Sequence, residues 1–93
     1  MFSRDQAEKL FKTQWWMDVA PETLAKIQLS QDYLLMPYWT YHTALEKALG
    51  RGLYFNEVQI RRWEFLNQLC GKKYALSAEE CLQMIPLEHR GVL

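Results

Sequence analysis

The sequence lacks an excess of charge of either sign, a cluster of cysteines and any long hydrophobic run. Lysine and arginine total 11 and aspartate and glutamate also total 11, so no net charge attracts nucleic acid, anionic membranes or acidic substrates to the molecule as a whole. The two cysteines are too few for a disulfide scaffold and indicate reduced, buried thiols. No stretch approaches the roughly 18 apolar residues that a membrane-spanning helix requires.

The N-terminal stretch MFSRDQAEKL also lacks the basic region followed by an apolar run that is typical of a secretory signal. We therefore expect a cytoplasmic protein that makes no membrane contact. A chain of 93 residues falls within the usual size of one domain and is too short for two. Residues 1–93 are accordingly predicted to form a single helical domain.

Patterns that support catalysis or metal binding are scarce. Nucleophilic catalysis requires a nucleophile beside a base, and His42 and His89 lie far apart in the sequence. The GRG stretch at residues 50–52 lacks the lysine and the serine or threonine of a phosphate-binding loop. Cys70 and Cys81 each fall on an apolar stripe and are not the closely spaced pair of a structural zinc site. We expect no enzymatic activity, no metal and no cofactor.

Helical periodicity and capping patterns predict an all-α bundle of four to five helices. Ser3 with Gln6 forms a capping box in front of a helix predicted over residues 4–18. Ser77 with Glu80 forms a second one in front of a short helix near the C-terminus. No convincing alternation of apolar and polar residues indicates a strand.

A second long helix is predicted to begin at Pro21 and to end at Gly50. Its apolar stripe keeps helical phase through Pro37, which predicts one long helix, or two nearly coaxial ones, bent at this proline. His42, one turn before Glu46, is interpreted as a boundary histidine that pairs with this carboxylate.

A third helix is predicted over residues 57–70, with Asn56 as its cap. Phe55 and Ile60 occupy the two positions of a hydrophobic staple. Apolar residues cover most of the circumference of this helix, so we expect it to be the most buried one, with Trp63 in the core.

The aromatic stretch LLMPYWTY, residues 34–41, has more apolar side chains than one helix face holds. Some of them join the main stripe, whereas others fall on the opposite side of the predicted helix or on a third side. Either this helix lies at the centre of the bundle, or part of it faces a partner. Aromatic residues and methionine are enriched at interfaces. The candidate partner-binding residues are Trp16, Leu29, Tyr33, Met36 and Trp39.

These observations predict a small non-enzymatic protein that binds another protein, or a second copy of itself, through an aromatic patch on the first two helices. Such a module suits an adaptor, a regulator or an inhibitor of a larger complex, including the kind that mobile genetic elements encode. Exposure of Trp39 is the central expectation of this hypothesis.

The alternative is a DNA-binding regulator that uses residues 44–82. Between Lys47 and Lys73, six basic residues stand against two acidic ones, and a helix, a glycine-containing turn and a second helix are predicted in this region. The candidate nucleic-acid-binding residues are Arg51, Arg61, Arg62, Lys72 and Lys73. QIRRWE followed by KKYALSAEE resembles the recognition helix and wing of MerR-like winged-helix proteins, where R-Y-Y-E and a later Y-x-S-x-E-E are typical.

This resemblance implies a helix that reads the major groove, but the sequence departs from the pattern in three ways. The turn is longer by about two residues than in a helix-turn-helix. The candidate recognition helix is apolar over most of its circumference, whereas a reading helix presents polar side chains to bases and cations to phosphates. Glu57 and Glu64 flank Arg61, and Glu57 has the favourable spacing for an intrahelical ion pair with it. Protein binding is therefore the preferred hypothesis.

Overall fold

The computed structural model describes residues 1–71 and 75–93, and all regular structure within these ranges is helical. This confirms the predicted all-α class. The helices of the described ranges are α1 (Arg4–Phe11), a 3₁₀ helix (Trp15–Asp18), α2 (Pro21–Leu29), α3 (Tyr38–Leu49), α4 (Phe55–Ile60), α5 (Arg62–Cys70), α6 (Ala78–Met84) and a second 3₁₀ helix (Leu87–Val92). They outnumber the predicted helices because each long predicted helix is interrupted.

Both predicted capping boxes are present. The backbone N–H of Gln6 donates to Ser3 Oγ at 3.2 Å, and the backbone N–H of Ser3 donates to Gln6 Oε1 at 3.0 Å. Ser77 and Glu80 make the same reciprocal pair at the start of α6, with distances of 3.1 and 3.0 Å. These bonds satisfy backbone donors that the first helical turn leaves without an intrahelical acceptor.

The helix predicted over residues 4–18 ends early, at Phe11, and that prediction of its length is wrong. Gln14 adopts the left-handed conformation, with φ of 57°, and the chain re-enters a 3₁₀ helix at Trp15. This turn sends the Trp15 indole completely into the core, where its Nε1 donates to the carbonyl oxygen of Leu35 at 2.9 Å. A long-range contact thus accompanies the break.

The predicted bent helix from Pro21 to Gly50 is also wrong, because residues 30–37 separate α2 from α3. Pro37 lies at the N-cap of α3 instead of bending a continuous helix. A proline disfavours helical geometry in the residue before it, so a helix does not readily enter it from Met36. The Gln28 side chain supports the intervening loop, since it donates to the carbonyl of Tyr33 at 3.0 Å and accepts from the N–H of Leu35 at 2.8 Å.

The helix predicted over residues 57–70 divides at Arg61, which has φ of −103° and ψ of 24°. Its cap is Tyr54 rather than Asn56. The expected staple is absent because the side chains of Phe55 and Ile60 are 56% and 78% exposed. Trp63 is 64% exposed, so the expectation that it lies in the core of the most buried helix is wrong. The buried residues of α4 and α5 are Val58, Phe65 and Leu66.

Helix α2 lies at the centre of the fold and contacts α3, α5 and α6. Polar residues just after it tie distant segments to the core. Ser30 Oγ accepts a hydrogen bond from the backbone N–H of Leu76 at 2.9 Å. The buried Gln31 side chain accepts from the backbone N–H of Phe2 at 2.8 Å and donates to Cys81 Sγ at 3.4 Å. Among the described residues, no helix combines the length and apolarity needed to cross a membrane.

Candidate protein-binding surface

Three aromatic side chains meet where α3 and α4 begin. The ring centroids of Tyr38 and Trp39 are 5.2 Å apart, those of Tyr38 and Phe55 are 5.1 Å apart, and those of Trp39 and Phe55 are 6.4 Å apart. Trp39 is 64% exposed and Phe55 is 56% exposed, whereas Tyr38 is half-buried between them. We call these three residues the aromatic surface. Tyr54, the residue before Phe55, is also exposed.

Local chain geometry explains why this surface remains outside the core. Pro37 fixes the start of α3, and consecutive helical residues project about 100° apart, so Tyr38 and Trp39 do not share one buried face. Tyr41, one turn after Tyr38, is buried and lies on the core-facing side of α3. Phe55 begins α4 immediately after the connection from α3, which brings its ring to the same end of the molecule.

His42 supports the aromatic surface from beneath. Its imidazole is buried, with Nδ1 3.0 Å from Tyr38 Oη and Nε2 3.0 Å from the carbonyl oxygen of Leu53. A carbonyl oxygen only accepts, so Nε2 donates to Leu53, and in the neutral imidazole Nδ1 accepts from the Tyr38 hydroxyl. The His42 ring also lies 5.0 Å from the Trp39 ring, between centroids. Two of the three surface rings therefore rest on one anchored side chain.

Glu46 completes this support. Its Oε2 accepts from the backbone N–H of Leu53 at 2.8 Å and lies 3.5 Å from His42 Nε2, so the predicted pairing of His42 with Glu46 is present. Burial, together with the Glu46 carboxylate, raises the pKa of the Tyr38 hydroxyl. A raised phenol pKa keeps this group protonated at neutral pH, so it serves as a hydrogen-bond donor and is a poor nucleophile.

A groove adjoins the aromatic surface along the line where α2 and α3 meet. Its volume is about 430 Å³. Trp39 forms one corner of the groove and therefore belongs to both features. The lining residues are Pro21, Leu24, Trp39, Thr40, Thr43, Ala44 and Lys47.

The predicted partner-binding residues do not all reach the surface. Trp39 is exposed as expected, and the Tyr33 side chain is 46% exposed. Trp16 is half-buried and packs edge-on against Phe11, with ring centroids 5.3 Å apart. Leu29 and Met36 are completely buried, so their expected place on an exposed patch is wrong.

The two errors have different physical causes. Leu29 lies in α2, which contacts other helices on several sides, so a position opposite the main stripe is still inside the core. Met36 lies in the non-helical segment before α3, where the angular positions of a helix do not apply. The staple pattern predicts a packing role for Phe55, whereas the structure exposes its ring. Its sequence signal was the unusual pair Tyr54 and Phe55 beside a helix start.

The described arginines of the DNA-binding alternative are engaged with acceptors of the chain itself. Arg51 lies 3.4 Å from the Glu57 carboxylate, and Arg61 lies 3.0 Å from the same carboxylate. Arg61 also pairs with Glu64. The backbone N–H of Tyr54 and the two guanidinium groups lower the pKa of Glu57, so this carboxylate remains charged at neutral pH. A DNA phosphate would therefore have to compete with these carboxylates for the guanidinium groups of Arg51 and Arg61.

Arg62 is engaged in a different way. Its Nε donates to the carbonyl oxygen of Leu29 at 2.8 Å, and its Nη1 lies 3.1 Å from the Asp32 carboxylate. It thus clamps α5 to the end of α2. Lys72 and Lys73, the two remaining candidates, lie outside the described residues.

The two cysteines are free. Burial raises the pKa of Cys81 to about 11, with Gln31 as its hydrogen-bond donor, and burial likewise raises the pKa of Cys70. Both side chains are therefore thiols at neutral pH and weak nucleophiles. Within residues 1–71 and 75–93, no three histidine, cysteine or acidic side chains are grouped so as to hold a metal ion.

Comparison with models of protein families, with curated proteins and with solved structures gave no match to this chain.

Proposed function

We propose that this chain is a non-enzymatic protein-binding module of the cytoplasm, which acts as an adaptor, regulator or inhibitor by docking a partner on the aromatic surface. The partner is another protein or a second copy of the chain. One observation carries the proposal: Tyr38, Trp39 and Phe55 form a contiguous group of rings, of which two are more than half exposed.

The composition of this surface supports a protein partner. Tryptophan and tyrosine dominate the binding energy of protein interfaces because they offer large contact areas with few rotatable bonds. Contiguous exposed apolar groups are typical of interaction sites, whereas single exposed apolar side chains are ordinary on protein surfaces.

Preorganisation supports the same conclusion. His42 holds Tyr38 through a hydrogen bond and contacts the Trp39 ring, so two surface rings are ordered before any partner arrives. A side chain that is already ordered loses less conformational entropy on binding. The surface is thus suited to bind with little rearrangement.

The test compares two variants with equally exposed tryptophans, Trp39→Ala and Trp63→Ala. Affinity capture from the native host, with the purified variants as bait, identifies the partner, and calorimetry then measures its affinity. We expect Trp39→Ala to weaken binding by about 2 kcal/mol or more, roughly thirtyfold in Kd. Trp63→Ala should leave the affinity unchanged.

Sedimentation of the purified chain distinguishes a second copy from another protein. A dimer that dissociates on Trp39→Ala and persists on Trp63→Ala identifies self-association through the aromatic surface. Partners that bind a Trp39→Ala, Phe55→Ala double variant with parent affinity would disprove the proposal.

A further inference from the structure

The groove between α2 and α3 has the length of a short helical ligand. Trp39, Thr43 and Lys47 are spaced four residues apart on α3 and so lie along one face of the helix, over about 12 Å, or roughly two turns. Leu24 and Pro21 of α2 form the opposite wall. The groove therefore has an aromatic end, a mostly apolar middle and a cationic end.

Lys47 is the charged residue of this lining, and no carboxylate lies within 4 Å of its ammonium group among residues 1–71 and 75–93. Most other basic side chains in these ranges contact an acceptor of the chain. The residues that do so are Arg4, Lys9, Lys26, Arg51, Arg61, Arg62 and Arg90. Lys12 and Lys47 are the exceptions in the described part of the chain. The groove thus ends at a cation that is free to pair with a ligand.

We propose that the groove binds an amphipathic helix of a partner protein, which places apolar side chains between Trp39 and Leu24 and an aspartate or glutamate opposite Lys47. This inference rests on the proposed function and specifies its partner. Two helical turns present apolar residues at positions i and i+4 and a further side chain at about i+7, which matches the spacing of the groove. The single cation sets the direction of the bound helix.

A nucleic acid fits this groove less well. Phosphate backbones require several cations along their path, whereas the lining of this groove holds one, together with four apolar residues and two threonines. An acidic peptide helix matches both the apolar floor and the charge at its end.

The experiment selects binders from a phage-displayed library of single helices with randomised surface positions. Selections run in parallel on the parent protein, on Lys47→Glu, on Trp39→Ala and on Lys12→Glu. The last variant is a matched control, because Lys12 is exposed, lies outside the groove lining and also pairs with no acidic side chain of the described residues. Circular dichroism and unfolding midpoints show that each variant is folded.

Helices selected on the parent should carry two apolar residues at i and i+4 and an acidic residue near i+7. Synthetic copies of them should bind Lys47→Glu about fivefold more weakly than the parent, and Lys12→Glu with parent affinity. Selection on Lys47→Glu should replace the acidic residue by lysine or arginine. This exchange of charge preference is the expected signature of a contact at Lys47.

Two other results separate the inference from the proposed function. Helices that need Trp39 but show no acidic preference and ignore Lys47→Glu overturn the inference and leave the aromatic surface as a binding site. Helices that bind Trp39→Ala as well as they bind the parent overturn the inference, and the proposed function is then decided by the affinity of the captured partner for the Trp39→Ala, Phe55→Ala double variant. Salt-sensitive binding of duplex DNA that is lost in Lys47→Glu would also overturn the inference, because phosphate would then be the ligand.

Discussion

Trp39 and Trp63 expose the same fraction of their side chains, 64%, but their surroundings differ. Trp39 contacts the rings of Tyr38, His42 and Phe55 and borders an apolar groove. Trp63 instead lies over the guanidinium of its neighbour Arg62, 5.2 Å from Cζ to the ring centroid. Exposure alone therefore does not distinguish the two rings, which differ in the side chains that they contact.

The largest loss of stability is expected at the buried tryptophan, Trp15. Trp15 is completely enclosed and donates from Nε1 to the carbonyl of Leu35, so Trp15→Ala should lower the free energy of unfolding by about 3–5 kcal/mol. Urea denaturation measures this change. A loss below about 1 kcal/mol would mean that burial does not distinguish structural from surface tryptophans in this chain.

Removing the side chain beneath Trp63 should have the next largest effect. Arg62→Ala leaves the Leu29 carbonyl without its donor and removes the ion pair with Asp32, so we expect a loss of about 2 kcal/mol in unfolding free energy. Arg62→Lys keeps the charge but lacks the planar guanidinium, whose separate N–H groups bind Leu29 and Asp32. It should therefore recover only part of the lost stability. Equal stability of Arg62→Ala and the parent would show that Arg62 does not stabilise the contact between α5 and the end of α2.

Trp63→Ala should cost only about 0.5–1 kcal/mol, since an exposed ring loses little buried area and one cation–π contact. A double-mutant cycle with Arg62→Ala measures that contact, because the cost of Trp63→Ala should fall once the guanidinium is absent. If instead Trp63→Ala abolished partner binding while Trp39→Ala did not, the roles of the two tryptophans would have to be exchanged.

The smallest effect concerns Glu57, at the start of the helix that carries Phe55. The Tyr54 N–H, Arg51 and Arg61 lower its pKa in the folded state, so its stabilising contribution is present above the unfolded pKa and disappears as pH falls through the lower folded value. Glu57→Gln should therefore flatten the loss of stability below about pH 4.5. Urea midpoints across acidic pH measure the slope, with Glu79→Gln in α6 as a control. An unchanged slope would contradict a lowered pKa of Glu57 in the folded state.

Features that depend on nearby residues could be predicted from the sequence. The all-α class and both capping boxes follow from local periodicity and from side chains three positions apart. The contact of His42 with Glu46 and the exposure of Trp39 follow from helical geometry within one helix.

Features that depend on distant residues could not be predicted. The apolar stripe keeps its phase on both sides of Pro37 and therefore predicts a continuous helix. In the structure, the Gln28 amide instead binds the backbone of the loop at Tyr33 and Leu35. The Trp15 indole donates to the carbonyl oxygen of Leu35 in the same loop. The contact between Trp39 and Phe55 joins two helices whose relative placement no local pattern encodes. Local patterns consequently predict the candidate site at Trp39 but not at Tyr38 or Phe55, and they misplace Leu29 and Met36.

The Gln31 side chain has a consequence for how the chain folds as it leaves the ribosome. One amide group binds both Phe2 and Cys81, and Cys81 is synthesised 50 residues after Gln31. At ordinary elongation rates this interval is roughly 3–10 s. During that time α2 lacks the contact that it makes with α6 in the folded chain, and the amide nitrogen of Gln31 lacks its Cys81 acceptor. The early part of the nascent chain therefore passes through a period in which its core is still open to chaperones and proteases.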